Sequence, residues 1–161
     1  MQNPVLNNDY SHHCGVGYPD VSLNQDIKRL REIWHKVQGD RDRDAIYDYL
    51  TAVYELVEWW TVERRAIDRA GRALRLNGLV VTEEPEPFAA VIAASVAPAR
   101  LDRRQSSRYA RALKYAAARD CRAKTLKGFI KDRHGGINRC AAKFSRRSGD
   151  NERTRNIGRG A

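Results

Sequence analysis

Asp42 to Asn77 reads DRDAIYDYLTAVYELVEWWTVERRAIDRAGRALRLN, with no proline and a single glycine, Gly71. Apolar residues recur at Ile46, Leu50, Val53, Val57, Trp60, Ile67 and Leu74, the spacing of a helix face rather than of a strand. Five of them, Ile46, Val53, Trp60, Ile67 and Leu74, fall seven apart. A strict heptad drifts by roughly 20° per repeat on a straight helix, so it stays in register only against a supercoiling partner. These five residues are therefore read as a seam, against a neighbouring helix or a second copy in a possible homodimer. A helix of this length would run ~54 Å, longer than a small domain is wide. It is expected to bend near Gly71 or to pack its far end against another molecule.

On the N-terminal side, Leu23, Ile27, Leu30, Ile33 or Trp34, and Val37 form a second apolar stripe that ends at Gly39. Ser22 with Gln25 three residues later is a capping-box pattern, which places a helix start at Ser22. The short link to the long stretch predicts an antiparallel helical hairpin over 22–78, closed by Asn77–Gly78. Residues 1–21 are rich in Asn, Gly, His and Pro without periodicity and are expected to be a flexible arm. His12, His13 and Cys14 invite a metal reading. The remaining candidates, His35, Cys121, His134 and Cys140, lack ligand spacing, so neither metal nor cofactor is expected. The three cysteines are an odd number without CxxC spacing, which suits reduced thiols.

On the C-terminal side, residues 79–87 (LVVTEEPEP) carry two prolines and form the best internal boundary, an extended connector. Phe88, Val91, Ile92 and Val96 then mark another helix, with Pro87 suited to its first turn. Every element so far is helical, so the fold class is all-α. A basic helical region over 88–147 and a basic tail over 148–161 follow the hairpin and connector. No stretch approaches the ~18 apolar residues of a membrane span. The N-terminus lacks a secretory pattern, so a cytoplasmic chain without a membrane partner is expected.

The charge is uneven. Residues 1–97 hold 11 Lys+Arg and 15 Asp+Glu, whereas residues 98–161 hold 19 Lys+Arg and 5 Asp+Glu. An excess of 14 positive charges in the second segment is the electrostatic footprint of a polyanion surface. On a helix capped by Asp102 and running to about Arg119, Arg104, Arg108, Arg111, Tyr115, Arg119 and Arg122 project within an arc of roughly 80°. Tyr109, Ala112, Leu113 and Ala116 occupy a separate arc, which reads as the core face. A row of arginines without neighbouring carboxylates forgoes i,i+4 ion pairs and suits phosphate instead.

A further helix is expected over LKGFIKDRH, capped by Thr125 and stopped by Gly135–Gly136. Then comes INRCAAKFSRR, with Ile137, Cys140, Ala141 and Phe144 on one face and Arg139, Lys143 and Arg146 on another, followed by Arg147. The pattern Leu126-x-x-Phe129…Gly135-Gly136-Ile137-Asn138-x-Cys140-Ala141-Ala142-Lys143-Phe144 resembles the opening two helices of bacterial helix-turn-helix DNA-binding domains. The resemblance spans about residues 126–147 and implies a recognition helix in the tail, docked in the major groove. No P-loop, carboxylate pair or Cys/His constellation stands out, so no enzymatic activity is expected. The reading is a nucleic-acid-binding accessory or regulatory protein, bacterial or phage, acting on DNA ahead of RNA. The alternative is a helical adaptor whose basic half docks an acidic protein partner.

Overall fold

The structure, a computed structural model, describes residues 21–96 and 101–157, and these residues are all-α. Seven helices follow in order: α1 (Val21–Gly39), α2 (Ala45–Val62), α3 (Ala66–Leu76), α4 (Pro87–Ser95), α5 (Arg103–Ala117), the single turn α6 (Leu126–Gly128) and α7 (Ile137–Ile157). A 3-10 turn (Ala123–Thr125) precedes α6, and a widened π turn (Phe129–Arg133) follows it. Residues 1–20, with the His12, His13 and Cys14 metal reading, lie outside the described residues. Helix α1 already includes Val21, so Ser22 sits in its first turn rather than ahead of it.

The 42–77 stretch is two helices, not one. At the end of α2, Arg64 adopts φ 57, and two backbone bonds close the turn. The Arg65 amide donates to Trp60 O at 2.8 Å and the Arg64 amide to Thr61 O at 3.0 Å. That pair is a Schellman closure, ordinarily built on glycine. The bend therefore lies at Arg64, while Gly71 sits inside α3. An L residue in the left-handed region costs about 1–2 kcal/mol. The return of α3 offsets it by burying Ala70, Ala73 and Leu74; full burial of one leucine side chain contributes about 1.5–3 kcal/mol. A straight continuation would carry those residues away from α4.

This bend reassigns the heptad seam. Val53 and Trp60 are fully buried, Leu74 is buried and Ile46 is partly buried, all against the chain's own apolar clusters. Ile67 alone is exposed, at 53 %. The other four positions are thus covered within one molecule. Trp59, next to the buried Trp60, is 47 % exposed, with the buried Arg69 guanidinium 5.2 Å from its ring.

Helices α1 and α2 run side by side in opposite senses. Trp34 packs edge-on to Tyr49 at 5.0 Å, while Asp26 and Leu30 line a groove shared with Leu56 and Trp59. After α3 a second Schellman turn forms on Gly78 (φ 66), through Leu79 N to Leu74 O and Gly78 N to Arg75 O, both at 3.0 Å. The connector then packs back on α3, bringing Val81 and Pro85 over Gly71. Glu86 caps α4 by accepting from the amides of Phe88 (3.2 Å) and Ala89 (2.8 Å). Pro87 occupies the first turn.

The connector does not separate two cores. One apolar cluster runs from Leu23 through Tyr49, Leu50 and Trp60 to Phe88, Val91, Leu113, Leu126, Ile130 and Cys140. Two buried hydroxyls tie the halves: Tyr49 Oη lies 2.7 Å from Ser95 Oγ, and Tyr54 Oη donates to Cys121 O at 2.7 Å. Cys121 and Cys140 are buried free thiols, and burial pushes Cys140 up to about 11. Among the described residues no helix is long and apolar enough to cross a membrane.

Candidate nucleic-acid interface

Helix α5 starts where the sequence places it, with the Asp102 carboxylate accepting from the Arg104 amide at 3.3 Å. Tyr109, Ala112, Leu113 and Ala116 are buried, so the inward arc holds the helix to the core. Arg104 and Arg108 are exposed and Arg111 is partly so, on the outward side. Helix α7 lies alongside. Ile137, Cys140, Ala141 and Phe144 face inward, which leaves Arg139, Lys143, Arg146 and Arg147 exposed.

Side chains join the two helices into one surface. Arg108 Nη1 reaches Asn138 Oδ1 at 3.4 Å, and Arg111 Nη1 donates to Ser145 Oγ at 2.8 Å. Lys114 Nζ rests 4.9 Å from the Phe144 ring. From Arg108–Asn138 to Lys114–Phe144 both helices advance together, so the arginine row of α5 and the cations of α7 run in parallel. Among the described residues, no ion pair links a cation of α5 or α7 to a carboxylate.

Two other basic residues of this half are neutralised internally. Lys127 and Lys131 lie 3.4 Å and 2.5 Å from Asp44 Oδ2, clamping the α6 and π-turn segment to the start of α2. The Lys131 hydrogen bond, with the charges of both lysines, holds the Asp44 carboxyl below the usual carboxylate range. The basic face thus excludes them.

Three expected members of the face are placed differently. Tyr115 is buried: its ring meets His134 edge-on at 5.1 Å and lies 6.0 Å from Phe129. Helix α5 ends at Ala117, where Asp120 (φ 51) closes a third Schellman turn through Cys121 N to Ala116 O at 3.1 Å. Arg119 and Arg122 therefore leave the helix projection. Arg119 folds back over Tyr115 at 5.5 Å, and Arg122 precedes the 3-10 turn.

The 126–147 region also differs in detail. Thr125 makes no side-chain cap and instead donates to Arg122 O at 3.1 Å. The segment widens into the π turn, which the Gly136 amide closes onto Ile130 O at 2.8 Å. Gly135 (φ 72) and Gly136 (φ 103) then supply the left-handed turn into α7. Helix α7 continues unbroken to Ile157, so residues 148–157 extend it and form no separate recognition helix. The last four residues lie outside the described set.

Sequence reasoning missed Lys114, Asn138 and Ser145, which become visible only when α5 and α7 are side by side. It also left His134 aside, since a lone histidine signals nothing until its neighbours are known. Among the described residues no group of three or more His, Cys, Asp or Glu could hold a metal ion. No family model matches the chain, and no curated protein or solved structure matches it either.

Proposed function

We propose that this chain binds nucleic acid, duplex DNA ahead of RNA, as an accessory or regulatory protein. The contact surface is the face made by Arg104, Arg108 and Arg111 on α5 with Arg139, Lys143, Arg146 and Arg147 on α7. The observation that carries this reading is the one-sign surface itself. Seven cations lie on two adjoining helices with no carboxylate paired to them among the described residues, while the lysines that do find one sit elsewhere. Self-repulsion among such charges costs stability, and a polyanion relieves it. Helix α7, at 21 residues, is long enough to lie along a major groove that admits one helix. On this reading α7 itself, rather than an element after it, meets the duplex, and α5 flanks it on the phosphates.

The test is a titration of the whole chain at ~50 mM salt with duplex DNA, single-stranded DNA, RNA and heparin. Duplex binding stronger than heparin binding per charge supports the reading. Preference for RNA shifts the ligand, and failure to bind any of the four leaves an acidic protein partner as the better account.

A further inference from the structure

At the C-terminal end of α5 the basic face passes over an aromatic stack that belongs to neither helix alone. The His134 ring lies 4.4 Å from Phe129 and 5.1 Å from Tyr115. Its Nδ1 is 3.0 Å from Lys143 Nζ. An ammonium can only donate, so in this geometry Nδ1 accepts and the ring is neutral, with its proton on Nε2. Arg119 also lies over the Tyr115 ring, 5.5 Å from its centroid. The charged groups facing His134 are Lys143 from α7, Arg119 from the end of α5 and Arg133 from its own segment, and all are positive. A partly buried imidazole facing three cations has no structural ion pair to make. The neighbouring π turn, a rare backbone form that is frequent at functional sites, is what delivers the ring to this position.

We propose that His134, Lys143 and Arg119 form a phosphate subsite, and that His134 takes up one proton from solvent when a phosphate group docks there. In the free chain, Lys143 donates to Nδ1. When a phosphate oxygen arrives, the ammonium turns to it, Nδ1 is released, and the added proton makes the imidazole a second donor to the same oxyanion. The charge of the phosphate replaces the repulsion that otherwise disfavours imidazolium. Partial burial first, and the three cations after it, hold His134 below its ordinary value of 6.5 in the free chain. Phosphate therefore has room to raise it.

This inference rests on reading the basic face as a phosphate-binding surface, and the test separates the two. Duplex affinity is measured at pH 7.5, 6.5 and 5.5 at fixed salt for the wild type, for His134→Gln and His134→Phe, and for His35→Gln on α1 as control. The imidazole of His134 is followed by NMR in the intact wild type, with and without tripolyphosphate. The expected gain for the wild type between pH 7.5 and 5.5 is about 3–10-fold beyond that of either His134 variant, below the tenfold per pH unit that one linked proton allows. The His35 variant should follow the wild type, and tripolyphosphate should raise the His134 midpoint. DNA binding with the same pH slope in wild type and His134 variants, and an unmoved midpoint, overturns the subsite and leaves the nucleic-acid reading. A midpoint raised by tripolyphosphate without DNA binding keeps the subsite and overturns that reading. Neither response overturns both.

Discussion

Arg111 of α5 donates from Nη1 to Ser145 Oγ of α7 at 2.8 Å, and its Nε donates to Ser107 O on its own helix at 3.3 Å. The guanidinium is held by neutral acceptors only, so its orientation is fixed while its charge stays uncompensated. That combination distinguishes it from Lys131, whose charge is spent on Asp44 at 2.5 Å. Position without neutralisation is what a phosphate contact requires, because ordering a loose side chain costs entropy on binding.

Arg64→Gly should stabilise the fold. Arg64 sits at φ 57 in a Schellman turn, where glycine has no Cβ to strain. Relief of the left-handed strain, less the entropy glycine adds to the unfolded chain, leaves a gain of about 1 kcal/mol by urea denaturation. Arg64→Ala should show no such gain.

Gly71→Ala should also stabilise, by about 0.5–1 kcal/mol, since glycine inside a helix is entropically unfavourable. The added methyl would meet Pro85 Cγ and Val81 Cγ1 at 3.6 Å, ordinary contact distance. A lower thermal midpoint for this variant would show that the connector packs more tightly on α3.

The two apolar positions Val53 and Ile67 should respond oppositely to glutamate. Val53 is fully buried, so Val53→Glu places an unpaired charge in the core and should cost more than about 4 kcal/mol. Ile67 is 53 % exposed, and Ile67→Glu should fold with nearly unchanged stability. Far-UV circular dichroism of both variants checks this; unfolding of Ile67→Glu would restore a buried role for that position.

Acid should weaken the ligand-free fold through His134. Its value in the folded chain is held below 6.5, chiefly by burial. The unfolded chain therefore binds the proton first as pH drops, and stability present above pH 6.5 is lost as pH falls through the folded value. The urea midpoint should decline between pH 7.5 and 5.5 more in the wild type than in His134→Phe, which keeps a ring in the stack but cannot titrate.

The all-α class, the core arcs of α1 and α5 and the Asp102 cap were legible because each follows from local periodicity or one local hydrogen bond. The break at Arg64 was not. Nothing in VERRA signals a stop, and the turn exists because α3 buries Ala70 and Leu74 on returning to α4, a tertiary gain invisible in sequence. The same bend turned a heptad read as a seam into core positions at Val53 and Trp60. Along α5, projection at constant angle placed Arg104, Arg108 and Arg111 on the outward side but failed after Ala117, where Asp120 ends the helix. Tyr115 went astray for another reason: the segment carrying Phe129 and His134 folds over it, and no pattern within α5 reveals that cover.

The most direct measurement is the salt dependence of duplex DNA affinity for the wild type and for Arg104→Gln/Arg108→Gln/Arg111→Gln. Each phosphate contact contributes about 0.9 to the slope of log affinity against log salt, so the triple variant should lose about 2 to 3 of it if all three arginines touch phosphate. The loss should be alike for all DNA sequences, since phosphate contacts carry no base information. Helicity should be retained, because Tyr109 and Leu113 hold α5 to the core. An unchanged slope in the triple variant, or a wild type that fails to bind at ~50 mM salt where such contacts are strongest, would contradict the account.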